Sequence, residues 1–106
     1  MLYLQEVPGL VNASAAAAGN AAVTRPSDAY RHLFLVTLTA AGTVWVEASV
    51  TTAVPPLRWV PISGSVTVSD SIAVEGNFTN LRVAWSGNAG AVTVDLIRSA
   101  LHPAVY

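Results

Sequence analysis

Thr43-Val44-Trp45-Val46-Glu47-Ala48-Ser49-Val50-Thr51 is the stretch on which the fold turns. Val44, Val46, Ala48 and Val50 fall on one side of an extended chain, and Thr43, Trp45, Glu47, Ser49 and Thr51 fall on the other. Successive side chains of a pleated strand point to opposite faces, so this period of two predicts a half-buried β-strand. The same alternation returns on either side of it. Ser65 to Glu75 sets Val66, Val68, Ile72 and Val74 on one face, with Asp70 as the interruption, which predicts a bulge or turn near Ser69-Asp70-Ser71. Leu81, Val83 and Trp85 share a face, as do Val92, Val94 and Leu96. The intervening Ser86-Gly87-Asn88-Ala89-Gly90 reads as a glycine-containing hairpin loop.

Upstream, Tyr30 to Leu38 carries His32, Phe34, Val36 and Leu38 on one side and Leu33 and Leu35 on the other. A strand apolar on both faces is expected to be covered on both. Ala40-Ala41-Gly42 supplies the turn that follows. Pro55-Pro56 lacks two successive amide donors and belongs to a loop or an edge, and Leu57 to Val60 is a short strand stopped by Pro61. Residues 1–26 differ from the rest. Leu2-Tyr3-Leu4, then Pro8-Gly9, then an alanine-rich run broken by Gly19 offer little to anchor a helix, and read as an extended N-terminal arm or a flexible leader. The expected organisation is an arm over 1–26 and a domain over 27–106. Short strands with frequent turn signals and no amphipathic helix between them predict an all-β, antiparallel β-sandwich or jelly roll, with a closed barrel as the competing arrangement.

A chain of 106 residues supports one core. Charged residues make up 10% of it, against about 25% in soluble domains, and hydrophobic residues 53%. All five cations are arginine, at positions 25, 31, 58, 82 and 98. Lysine commonly protects exposed sheet edges, so its absence predicts edges covered by another subunit: a homo-oligomer or a docked protein. A net charge of −1 with scattered arginines gives no footprint for nucleic acid. The start MLYLQEVPGL has no basic n-region, and there is no run of about 18 apolar residues, so neither secretion by a signal peptide nor a membrane partner is expected. Cysteine is absent, so packing or association must supply stability.

The chemistry-bearing residues are sparse. His32 and His102 have no second ligand at metal spacing, and His32 is expected to be a core or interface histidine whose ring nitrogens find hydrogen bonds. Glu47 and Asp95 both sit on polar strand faces and are the carboxylates most able to become neighbours. Solvent-facing charge is the simpler reading of both. No G-x-S-x-G, phosphate loop or cysteine nucleophile occurs, so no catalytic residue, cofactor or metal is assigned and the chain is not expected to be an enzyme. Trp85 belongs with the core. Trp45, on the polar side of its strand, and Trp59, beside the prolines, are candidates for a subunit interface or for stacking on sugar rings. With Leu2, Tyr3, Leu4, Leu33 and Leu35 they form the expected set of interface residues.

Gly42-Thr43-Val44-Trp45-Val46-Glu47-Ala48-Ser49 gives G-T-x-x-V-E-x-S, and Trp59-Val60-Pro61-Ile62 gives W-x-x-I. Phe78 to Trp85 gives F-x-x-L-R-V-x-W, and Val92 to Leu96 gives V-T-V-x-L. Taken together, over residues 28–98, these elements resemble small β-sandwich proteins of tailed bacteriophage particles. Thr51 to Pro56 stands where the related pattern carries a D-G-x-x-W loop, so a ligand role for that loop does not carry over. The resemblance implies a virion structural protein: a capsid decoration or cement unit, or a small tail component. Its partner would be the major capsid protein or another virion protein, with assembly in the host cytoplasm. The alternative from a different class is a carbohydrate-binding module or tail-associated adhesin component, resting on Trp45 and Trp59.

Overall fold

A computed structural model describes residues 2–13, 18–24, 26, 29–49 and 58–101. Eight strands run through them: β1 (Leu2–Ala13), β2 (Ala18–Ala22), β3 (Arg31–Leu38), β4 (Thr43–Ser49), β5 (Val60–Pro61), β6 (Asp70–Glu75), β7 (Asn80–Ser86) and β8 (Val92–Leu101). They form two four-stranded antiparallel sheets, a first in the order β1-β8-β3-β6 and a second in the order β2-β7-β4-β5. The outermost strands in sequence pair with each other, then the next, inward to β4 with β5. One long antiparallel hairpin, rolled so that β3 also meets β8 and β4 also meets β7, produces this order. It is the connectivity of a jelly roll, a β-sandwich closed by crossovers between its sheets.

The period-two pattern puts Phe34 and Val36 of β3, Val92, Val94 and Leu96 of β8, and Ile72 and Val74 of β6 on the inner face of the first sheet. Val44, Val46 and Ala48 of β4 and Leu81, Val83 and Trp85 of β7 oppose them from the second, and all are buried. Phe34, Val44, Val46, Val83, Val92 and Val94 are at most 0% exposed, which marks the centre of the core.

Four expectations change. Residues 2–13 and 18–22 are edge strands, one in each sheet. Val11 and Val23 are core residues and Val7 and Ala21 pack against them, so the small side chains of the segment fit flat against a sheet instead of trailing from it. Secondly, β7 and β8 are not a hairpin: they lie in different sheets, and residues 87–91 arch between them. The arch is tied to the β3–β4 connection by Ala89 N donating to Ala41 O at 2.9 Å and Ala91 N to Thr39 Oγ1 at 2.8 Å. Thirdly, the break at Asp70 is a change of sheet. Val66 bridges Val44 of the second sheet, whereas β6 starts at Asp70 in the first, and Val68 between them is 65% exposed. Lastly, Pro61 lies within β5 opposite Glu47. That strand is an edge, where a missing donor costs no ladder bond. Val50 to Leu57, including Pro55-Pro56, and His102 lie outside the described residues.

Candidate functional site

The outer face of the second sheet holds a linked row of polar and aromatic side chains. Register sets Glu47 of β4 directly opposite Arg82 of β7, and Trp45 opposite Ala84. Trp45 Nε1 donates to Glu47 Oε2 at 2.9 Å, and Arg82 Nε donates to Glu47 Oε1 at 2.7 Å. The Arg82 guanidinium carbon lies 4.2 Å from the ring centroid of Trp59, a cation–π contact that fastens the segment before β5 onto the sheet. The Arg82 and Glu47 side chains keep 23% and 12% of their exposure, so their pairing is better shielded than an ordinary surface ion pair. Both candidate tryptophans are therefore on one face and half-buried, each anchored through Glu47 or Arg82. Arg82 was not among the expected site residues; its signal was parity, since it alternates with the inward Leu81 and Val83. Beyond Trp59 the edge runs Val60, Pro61, Ile62, with Val60 47% and Ile62 38% exposed.

The outer face of the first sheet carries Leu33 and Leu35, the second half of the expected interface set. Leu33 pairs across to Ile97 of β8 and Ala73 of β6, and Leu35 to Asp95 and Ser71. Leu33 is half-buried and Leu35 is 38% exposed, so among the described residues no segment of the chain covers this face, contrary to a strand buried on both sides. Ile97 is the missed member. An apolar residue in the outward register of β8, between polar Asp95 and Ser99, is the signal that identifies it. Beside the leucines lies a shallow dent of about 190 Å³ lined by Glu6, Pro8, Leu35, Asp95, Leu96 and Ile97. A register shift between Val7 and Val11 produces it: Gly9 takes φ +67°, a left-handed conformation that suits glycine, and Asp95 Oδ1 accepts from Gly9 N at 2.7 Å. The backbone of Leu2, Tyr3 and Leu4 pairs with Leu101, Ala100 and Ser99; their side chains lie outside the described residues.

The carboxylates Glu47 and Asp95 face away from each other on opposite sides of the sandwich, each engaged with its own partners. No cleft joins them. His32 is 1% exposed beside Phe34 and Phe78, with ring centroids 6.3 Å away in each case. Contrary to expectation, neither ring nitrogen makes a well-formed hydrogen bond. Burial, and then the neighbouring Arg98 charge, lower its pKa to about 4; the Pro26 carbonyl pulls weakly the other way. Arg98 is itself inward and buried, its Nε donating to Gln5 Oε1 and its Nη1 to Thr24 O, both at 2.7 Å, which ties β8 to β1 and to the β2–β3 connection. Among the described residues no three metal-ligating side chains come together.

No protein-family model matches the chain, and no curated protein matches it.

Proposed function

We propose that this protein is a structural subunit of a bacteriophage particle, a capsid decoration or cement unit that binds a protein lattice, with the major capsid protein or another virion protein as its partner. One observation carries the reading: both outer sheet faces present large apolar or aromatic side chains, Leu33, Leu35 and Ile97 on one and Trp45 and Trp59 on the other, in a chain of which only 10% of the residues are charged. The second sheet adds an apolar edge, Val60-Pro61-Ile62, with none of the lysines that guard free edges. The jelly roll is a scaffold used by capsid and lectin domains alike, so the fold suits the role without choosing it. A small contact per copy suffices when a lattice engages many copies at once. The role is non-catalytic and needs no cofactor. Mass spectrometry of purified particles is expected to find this chain in stoichiometric amount; particles without it would end the proposal.

A second reading, a carbohydrate-binding module or adhesin component, draws on the placement of Trp45 and Trp59 on one face. Trp59 already has a guanidinium against its ring, which leaves Trp45 as the stacking candidate. A glycan array that lights up with the intact chain and goes blank with Trp45→Ala would favour it.

A further inference from the structure

The acids on the outer face of the first sheet are not matched by the chain's own cations. Register places Glu6, Glu75 and Asp95 there against Arg31, and Arg31 stands directly opposite Glu75, 3.8 Å away. Glu6 and Asp95 are left together on the β1–β8 side. Glu6 pairs with Ile97, so Asp95 is diagonal to it on the same face, about 7–8 Å away by strand geometry. Both line the dent beside Gly9, whose other walls are Pro8, Leu35, Leu96 and Ile97. The Gly9 N–H, donated to Asp95 Oδ1, holds that carboxylate in place. Among the described residues Asp95 Oδ2 has no hydrogen-bond partner, and the exposed Glu6 side chain has none at all. Nor does a described cation reach them. Arg31 lies two strands from Glu6 and about 13 Å along β3 from Leu35, the residue opposite Asp95. Arg82 is on the second sheet, Arg58 precedes the far edge of that sheet, and Arg98 is buried inside the sandwich.

We propose that this dent is the socket for an arginine side chain of the partner protein, and that the adjoining Leu33–Ile97 row receives the apolar neighbours of that arginine. The inference deepens the reading above and rests on it only in taking the partner to be a protein. Charge complementarity selects the occupant. Two carboxylates on an otherwise apolar floor call for a cation that also has an aliphatic part, and arginine supplies both: a stem for Pro8, Leu35 and Ile97, and a planar fork of donors for Glu6 and Asp95. A bare metal ion would want a shell of oxygen ligands, which apolar walls do not give. A free small amine would leave Leu33 and Ile97 uncovered, whereas a protein surface covers them in continuity with the socket. The face excludes as well as it selects, because an acidic or phosphate-rich surface meets like charge there. The tryptophan face and the β5 edge, on the other sheet, are left to other contacts.

The probe is a capped peptide, Leu-Arg-Leu-Arg-Leu, set against the same peptide with citrulline for arginine, which keeps the shape and drops the charge. Titrated into the isotope-labelled full chain up to millimolar concentration, the arginine peptide is expected to shift the amides of Gly9, Leu35, Asp95 and Ile97 saturably. The citrulline peptide should bind about tenfold more weakly, because its hydrogen bonds are no longer charge-assisted. Glu6→Arg alters an exposed side chain without a described partner, so its β-type circular-dichroism spectrum should be unchanged while its affinity for the arginine peptide falls by about tenfold. Equal binding of the two peptides would overturn the inference, as would shifts centred on the β5 edge, no binding at all, or a Glu6→Arg chain that binds like the wild type. The two readings fail separately. A chain present on particles but indifferent to the arginine peptide loses the socket and keeps the particle role, and a chain absent from particles that answers the peptide at the dent loses the role and keeps the socket.

Discussion

His32 is a buried base with an arginine beside it and, among the described residues, no carboxylate partner, so its neutral form belongs to the folded state. The unfolded chain takes a proton near pH 6.5, whereas the folded chain resists until about pH 4. Between those values the unfolded state binds more protons, so this residue's contribution to stability is full above pH 6.5 and is lost as the pH falls towards 4. The loss amounts to about 2 kcal/mol by pH 5. Urea midpoints at pH 7.5 and 5 should differ accordingly in the wild type and should draw together in His32→Phe; equal pH dependence in both would show that the histidine is not the sensor. Gly19 makes a purely steric case. It stands opposite Trp85, and a Cβ there would meet the indole Cζ2 at 2.5 Å and Cε2 at 2.9 Å. The indole is buried within the core cluster and has little room to yield. Gly19→Ala should therefore cost about 1–3 kcal/mol, the usual penalty of overpacking. Tryptophan-monitored denaturation reads the cost directly, and an unmoved midpoint would mean that the ring can shift.

β1 shows what an element contributes when its own sequence looks unpromising. It pairs with β8 along most of its length and puts Val11 into the core, with Val7 and Leu10 packed alongside. Full burial of one valine is worth about 1.5–3 kcal/mol, and a small domain holds only about 5–15 in total. Removing residues 1–13 should abolish the cooperative thermal transition followed by circular dichroism. A truncated chain that melts like the full one would return the segment to the status of an arm. Side-chain alternation had revealed β3, β4, β6, β7 and β8 and their inward residues, because burial on one face leaves a period of two in the sequence. It did not reveal which sheet a strand joins: Leu81, Val83 and Trp85 point inward whether the next strand returns beside them or crosses the core, so an arch read as a hairpin. Nor did it reveal β2, where Ala18, Gly19, Asn20, Ala21 and Ala22 are too small and mixed to show a face. At the outer surfaces Leu33, Leu35 and Trp45 were legible as apolar residues in outward register, and Trp59 as an aromatic beside the prolines. Arg82 and Ile97 carried the same outward parity, but their pairing with Glu47 and Leu33, and the Gly9 dent, depend on cross-strand neighbours that only the register supplies.

For the molecule as a whole, the rolled topology sets how it must assemble. The first described strand pairs with the last, Leu2 opposite Leu101, and the second with the seventh. Consecutive strands fall in different sheets throughout except for β4 and β5, and β5 is two residues long. Almost no pairing is therefore local, and the chain must close long loops before contacts offset the lost entropy. Folding is expected on the millisecond-to-second scale of all-β domains, with β8 decisive because it is central in the first sheet and comes last in sequence. Stopped-flow refolding followed by the buried Trp85 tests the rate, and a chain ended at residue 91 tests the order. The truncated chain should show no cooperative transition, since Phe34 and Val36 then lose the strand beside them and the core loses Val92, Val94 and Leu96. Folding within microseconds, or a cooperative fold without β8, would mean that local pairs suffice and that the two sheets do not form as one unit. Slow closure also bears on the outer faces: while β8 is undocked, β3 offers a bare edge and the apolar Leu33–Leu35 surface together, without a lysine to discourage pairing with another chain. Refolding yield should consequently fall as protein concentration rises, and Leu35→Asp should raise it at equal concentration, measured as the soluble folded fraction after dilution from urea.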